Sequence, residues 1–217
     1  MGRGKKRVFA GLAALALAGG AFAALGPGAS AASSASSACG SSCLSLYAQS
    51  FGTADAGAVP AAAAGKPQYV VLSAAADTES EDFEADFQGT VTEFCNAGIM
   101  TGVVCTTWPN NSVYEYEYTP GNVHSGLCIG TAAPAVNGTK VSLQTCGVNA
   151  DTTWILLPID TIGRYEPLIA GTDTVQNTPE VLTAGSAAGD KLTTRQLDLV
   201  DGTFDPAQMW QTVSGVL

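Results

Sequence analysis

A spacing recurs along the chain from residue 72 onward, and it limits the fold more than any compositional figure does. Leu72 in YVVLSAAADTESEDF lies eleven residues before Phe83, and Leu143 in KVSLQTCGVNADTTW lies eleven before Trp154. Fourteen residues separate Ile129 from Leu143, and fourteen again separate Leu168 from Leu182. A third copy opens at PEVL, where Leu182 is followed by an insertion before Gln208-Met209-Trp210. Each copy consists of a strand, a hairpin and a closing aromatic, and none can bury its apolar face alone.

Between these anchors run short apolar segments such as YVVL, GIMTGVV, VYEYEY, GLCIG, WILL, PLIAG and MWQTV. Asn137-Gly138 and Asp201-Gly202 punctuate them and suit the positive φ of tight hairpins. No segment holds a helical period over twelve residues, although 81–97 could supply a turn or two. The expectation is an all-β domain over 39–217, with three pseudo-repeated lobes near 39–90, 91–160 and 161–217. Threefold closure removes exposed strand edges, which makes a β-trefoil the natural solution. The stretches 32–38 and 53–66, poor in large side chains, read as a flexible Ala/Ser leader and a long loop.

The segment GLCIGTAAPAVNGTKVSLQTCGVNADTTWIL resembles a repeat of the ricin-type β-trefoil lectins, in which Gly-Leu-Cys opens a lobe and Gln-x-Trp closes it. Cys128 and Cys146 stand in the two cysteine places, Trp154 and Trp210 in the tryptophan places, and Gln208 completes one motif as QMW. The span from CGSSC to GVL is also similar to secreted trefoil-like proteins of high-GC Gram-positive bacteria. The resemblance implies carbohydrate binding without catalysis, and a Cys128–Cys146 disulfide. It also implies an acidic sugar-gripping residue near Ile129 and Gly130, and near Ala170 in the third lobe, where this chain has none. Thr152 replaces the motif glutamine of the middle lobe, and Phe83 the tryptophan of the first.

Charge and cysteine usage bound the setting. Arg3, Lys5, Lys6 and Arg7 precede the apolar run 8–25 and the tail GPGASA, the order of a secretory signal peptide cleaved after Ala31. The alternative is an uncleaved anchor. Removing 1–31 leaves nineteen acids and five bases (Lys66, Lys140, Arg164, Lys191, Arg195), a formal charge of −14. Five scattered bases make no nucleic-acid footprint, and the acidity favours solubility outside the cell. All six cysteines follow residue 31. In an exported chain they read as disulfides, with Cys95–Cys105 and Cys39–Cys43 paired by proximity, one of fifteen connectivities.

For a sugar ligand the chemistry asks for an aromatic under the ring's C–H face and for amides or carboxylates on its hydroxyls. Trp108, in the polar setting TTWPNNS, is the preferred platform, with Asn110 and Asn111 beside it. Tyr114, Tyr116 and Tyr118 alternate with Glu115 and Glu117, so one strand face is aromatic and the other acidic. That aromatic face is either a platform or the buried side of a barrel strand with the glutamates solvated. Gln208 and Trp210 complete the candidates, and Trp210 and Trp154 have packing as their alternative role. The acidic run 77–86 is either a solvated face or a weak calcium loop, and no cofactor is implied. His124 stands alone beside Ser125, and no catalytic motif accompanies it, so a small hydrolase is the third reading after a lectin and an extracellular scaffold.

Overall fold

The computed structural model describes residues 43–51, 55–60, 66–74, 79–147, 149–158, 165–174, 178–200 and 202–211. The expected signal peptide, the leader, Cys39 with its pairing to Cys43, Asp77 and Arg164 lie outside these residues. The strands are β1 (Cys43–Leu44), β2 (Leu46–Tyr47), β3 (Asp55–Ala58), β4 (Val71–Ala74) and β5 (Phe83–Thr90). Two short helices follow, α1 (Val91–Asn96) and α2 (Val103–Thr107), then β6 (Ser112–Tyr118), β7 (Leu127–Thr131), β8 (Val141–Thr145) and β9 (Thr153–Leu156). The third lobe contributes β10 (Leu168–Ala170), β11 (Glu180–Thr183), β12 (Thr193–Gln196), β13 (Leu199–Val200) and β14 (Thr203–Phe204).

Closure follows one register used three times. Within a lobe the closing aromatic faces the first strand, in the pairs Leu44↔Phe83, Tyr114↔Trp154 and Glu166↔Trp210. Each aromatic also faces the next lobe's first strand four residues further on, at Tyr118, Ala170 and Ala48. This closes a barrel with no free edge between the lobes. Its interior holds Phe83, Trp154 and Trp210 in one layer and Leu46, Tyr116 and Leu168 in another, all essentially without solvent exposure. The indole N–H of Trp154 donates to the Ile129 carbonyl (3.0 Å) and that of Trp210 to the Leu182 carbonyl (2.8 Å). A buried tryptophan thus adds a satisfied donor to its large apolar area.

A second threefold element caps the barrel. Val70 N–H donates to Val141 C=O, Val141 N–H to Leu192 C=O, and Leu192 N–H to Val70 C=O, at 3.2, 3.0 and 2.9 Å. The three residues are wholly buried and mark equivalent places in the three lobes. Barrel, cap and pairing together define a β-trefoil.

The third copy has a different register from the spacing expectation. Leu182 accepts from Trp210 as Ile129 accepts from Trp154, so β11 is the counterpart of β7 and not of β8. The segment equivalent to KVSL is KLTT, which leads into β12, and the third-lobe counterpart of Ile129–Gly130 moves from Ala170 to Leu182–Thr183. Thirteen residues separate Val70 from Phe83 and Val141 from Trp154, but eighteen separate Leu192 from Trp210. The added residues make the β13–β14 hairpin, turned at Gly202 (φ 79°).

Two other expectations are corrected. Within 53–66 lies β3, not loop alone, and Ala56 and Ala58 are buried there because the site is narrow. A Cβ on Gly57 would come 3.3 Å from Leu46 Cβ. GIMTGVV is not a strand: Val103 and Val104 open α2. Thr90 caps α1 in a reciprocal box, Glu93 Oε2 accepting from Thr90 N–H at 2.7 Å while Thr90 Oγ1 accepts from Glu93 N–H at 3.4 Å. The Cys95–Cys105 disulfide ties α1 to α2. Val91, Phe94, Met100 and Val104 of this pair pack on Val113, Ile155, Ile169 and Val181, the outward residues of the barrel strands beneath. The Cys128–Cys146 disulfide joins β7 to the end of β8, with its Cα atoms 5.0 Å apart.

Candidate ligand-binding site

The barrel register decides where each expected site residue stands. Tyr116 and Trp210 lie inside the barrel and present no face to a ligand. Burial, then Tyr114 and Glu166, raise the Tyr116 phenol well above its ordinary range, so it stays neutral. Tyr118 is partly buried with its ring 5.8 Å from that of Phe83, and Tyr114 packs edge-on to Phe87 at 5.6 Å. The tyrosine face of β6 is therefore the interior face. Burial, followed by Asp82 and Glu79, raises the Tyr118 phenol as well.

The glutamates opposite are not solvated. Glu115 is buried, and its Oε1 accepts from Gly147 N–H at 3.1 Å and from the Thr152 hydroxyl. Glu117 accepts from Gly126 N–H (2.7 Å) and meets His124 Nδ1 (2.9 Å), with Glu84 3.7 Å from the same ring nitrogen. Those carboxylates raise the His124 pKa, the Glu117 hydrogen bond most. The Ser125 hydroxyl donates to Tyr118 C=O at 2.5 Å, so His124 and Ser125 form no nucleophile–base pair. The acidic run divides likewise: Glu81 and Asp82 are buried, while Glu79 and Asp86 are exposed.

Gln208 is buried and committed to the backbone, donating to Gln196 C=O (2.8 Å) and accepting from Asp198 N–H (2.8 Å). Thr152 and Glu81 hold its place in the other lobes, two residues before their aromatics. Trp108 ends α2 half-buried against the helical pair. Asn111 spends its amide on Leu156 C=O (2.7 Å), and Asn110 is exposed. The three residues are brought together, but one amide is already engaged.

Concave surface lies instead at the capping hairpins. A groove of about 350 Å³ has apolar walls from Pro67, Tyr69, Ala132, Ala133 and Leu143, with Thr139, Lys140, Ser142 and Gln144 as its polar side. A larger cleft of about 620 Å³ in the third lobe is lined by Thr183, Asp190, Lys191, Thr193, Arg195 and Asp205, among others. The two are related through the threefold cap. Lys140, Ser142 and Gln144 occupy the same lobe positions as Lys191, Thr193 and Arg195, so each presents a cation, a hydroxyl and a long polar side chain at period two. The Lys191 ammonium sits 3.7 Å from the centre of the Tyr69 ring and that of Lys140 5.8 Å, which links groove and cleft through one aromatic.

Two carboxylates share the larger cleft, and both are engaged. Asp190 Oδ2 accepts from Ala187 N–H, Ser186 N–H and the Ser186 hydroxyl, and these bonds hold the carboxyl below its usual range and ionised. Asp205 caps the turn Pro206–Gln208 through Ala207 N–H at 2.9 Å. Its donor bonds and lowered pKa make Asp190 a poor general acid. Tyr69 is the residue that sequence reasoning missed, since YVVL reads as a plain core strand. Among the described residues, no group of three or more metal-ligating side chains comes together.

No family model matches the chain, and no curated protein matches it by sequence. Solved structures match over most of its length. It is similar to the designed threefold-symmetric protein ThreeFoil at 13% identity and a TM-score of 0.56, covering 80% of this chain and 99% of that one. The agglutinin of Rhizoctonia solani gives 15% identity and a TM-score of 0.51, over 81% of this chain and 96% of that one. A mosquitocidal holotoxin gives 8% and 0.54, over 81% of this chain but only 17% of the toxin. At these identities the likeness carries the fold alone, a β-trefoil. The two disulfides fit an oxidising environment, and no helix among the described residues is long and apolar enough to cross a membrane.

Proposed function

We propose that the chain is a secreted, noncatalytic carbohydrate-binding protein whose sugar site is the Tyr69 groove. One observation carries this reading: a half-buried aromatic lines a concave groove that an amide, two hydroxyls and a cation also line. A pyranose has the same division, an apolar C–H face and a polar hydroxyl rim. Gln144 donates to Ser142 Oγ at 2.8 Å, and Ser142 pairs with Tyr69 across a β-bridge, so all three line the groove. Trp108 with Asn110 is a lesser surface under the same proposal, because its ring packs on the helical pair and Asn111 donates its amide to the Leu156 carbonyl.

The test is binding of the chain from residue 32 to a panel of glycans and cell-wall polysaccharides, with Tyr69→Ala, Gln144→Ala and Trp108→Ala alongside. The expected result is binding lost in Tyr69→Ala and Gln144→Ala, both still folded, and kept in Trp108→Ala. Loss in Trp108→Ala alone would move the site to the helical pair. A scaffold reading has one observation in its favour: Trp154 and Trp210 are buried, and neutral residues stand where ricin-type lobes carry their acid. Silence across the panel would give that reading the weight.

A further inference from the structure

The bases left in this chain after residue 31 are few, and the fold gathers them. Lys66 is the neighbour of Pro67 in the groove wall, Lys140 lines the groove, and Lys191 and Arg195 line the third-lobe cleft. Three of the four described bases beyond residue 31 thus line the groove and the cleft, and Lys66 adjoins them in the chain. Lys140, Lys191 and Arg195 are exposed, and none makes an ion pair among the described residues. The two ammonium groups over Tyr69 stand within about 10 Å of one another, close enough for like charges to repel across a Debye length of about 8–10 Å. Asp190, next to Lys191 in the chain, is turned to the Ser186 and Ala187 backbone, and Asp205 to Ala207.

Building on the carbohydrate reading, we infer that the groove and cleft take an acidic saccharide, one whose carboxylate, sulfate or phosphate groups meet Lys140, Lys191 and Arg195 while a sugar face lies along the Tyr69 wall. Charge complementarity selects this occupant, because an anion bound beside the two ammonium groups relieves their repulsion and a neutral sugar does not. The repeated ladder of cation, hydroxyl and polar residue on β8 and β12 suits a polymer with anionic groups on successive residues. The formal charge of −14 does not forbid it: acids more than a Debye length away are screened at physiological salt, and the two that line the cleft, Asp190 and Asp205, turn to backbone N–H donors, which leaves Lys140, Lys191 and Arg195 in excess by one formal charge.

Matched probes separate the possibilities: dextran sulfate against dextran, polygalacturonate against galactan, and long-chain polyphosphate as a polyanion without sugar. The expected result is tighter binding of each acidic polysaccharide than of its neutral partner, weakened several-fold between 50 and 500 mM NaCl. Lys140→Gln and Lys191→Gln should each lower acidic-polysaccharide affinity about tenfold, and Tyr69→Leu should lower it with the charge intact. Circular dichroism and melting of each variant confirm that it is folded. Equal binding of neutral partners with no effect of either lysine would overturn this inference and leave the carbohydrate reading standing. Polyphosphate bound as tightly as the acidic polysaccharides would overturn it too, since the surface would then read charge alone. No binding to any saccharide overturns both.

Discussion

The barrel interior and the hairpin cap obey the same threefold symmetry and differ in what they do with it. Inside, the three equivalent places carry Phe83, Trp154 and Trp210, large aromatics that fill one layer. On the cap, the residues just before Val70, Val141 and Leu192 are Tyr69, Lys140 and Lys191, one aromatic and two cations brought to a single ring. Packing at near-crystalline density holds this layer to large aromatics, while solvent-facing positions are free to diverge. A ligand is therefore best sought where the symmetry of position is kept and the symmetry of chemistry is broken.

The sharpest way to break this comparison is in the interior. Trp154→Ala and Trp210→Ala should each cost about 3–5 kcal/mol, by lost burial and the cavity left behind. Trp154→Phe should cost much less, because Phe83 fills the equivalent place in the first lobe. Urea denaturation reads both. A cost below about 1 kcal/mol for Trp210→Ala would mean that the third lobe does not close the barrel as the other two do.

The disulfides test a milder form of the same point. Replacing Cys128 and Cys146 together by Ala should cost about 3 kcal/mol on the chain-entropy account for a loop of this length, and Cys95 with Cys105 slightly less. In the third lobe the counterparts of Cys128 and Cys146 are Val181 and Leu197, which pack together in the outer apolar cluster. Cys128→Val with Cys146→Leu should therefore recover part of the loss, and melting of the double variants decides it. No recovery would show that the lobes differ in more than the kind of cross-link they carry.

The sequence was legible where one residue type had to recur. The Phe83 and Trp154 spacings, the pairing of Cys128 with Cys146 and the all-β pattern correspond to features of the fold. The third lobe was misregistered because Thr194 stands where Leu72 and Leu143 stand, while Leu182, on another apolar strand, preserved a misleading spacing. Of the helical pair, Thr90-x-x-Glu93 was a readable capping signal. Val103–Thr107 was not, since its β-branched residues favour strands and its helix is held by the disulfide and by packing. Alternation along β6 correctly gave an aromatic and an acidic face, yet burial of the acidic face depends on the loops at 124–126 and 147–152. The groove was hidden most deeply, because Lys140 and Lys191 are fifty-one residues apart and meet only through threefold closure.

The third lobe also holds a buried acid whose environment differs from that of Glu115. Glu180 is buried, its Oε2 has no hydrogen-bond partner among the described residues, and burial followed by Asp173 raises its pKa. For an acid raised in the folded state, the fold binds more protons than the unfolded chain, so stability falls as pH rises from the unfolded pKa to the folded one. Glu180→Gln should remove that decline and stabilise the protein at neutral pH by about 1 kcal/mol, the low end of what an unsatisfied buried group costs. Melting temperatures from pH 4 to 8 check it. A difference between wild type and Glu180→Gln that rises in favour of the wild type across this window would show that the ionised carboxylate has found a partner.

The smallest effect belongs to His124, which sits outside the barrel on the loop after β6. Its pKa is raised by the Glu117 hydrogen bond and by Glu117 and Glu84 charge, so the imidazolium favours the folded loop. The sign follows: this contribution is fully present below the unfolded pKa of about 6.5 and is lost as pH rises through the higher folded value. The ring is largely exposed, and solvent screening keeps its effect on global stability too small for a denaturation curve. A proton NMR titration resolves it, since His124 is the chain's one histidine. The midpoint should lie above that of a model peptide, and Glu117→Gln should bring it down. Because Glu117 also accepts from Gly126 N–H, that variant should loosen the same loop and speed amide exchange at 124–126. A midpoint unmoved in Glu117→Gln would detach the loop from the barrel's acidic face, and would leave that face explained by Glu115 and its contacts with Gly147 and Thr152 alone.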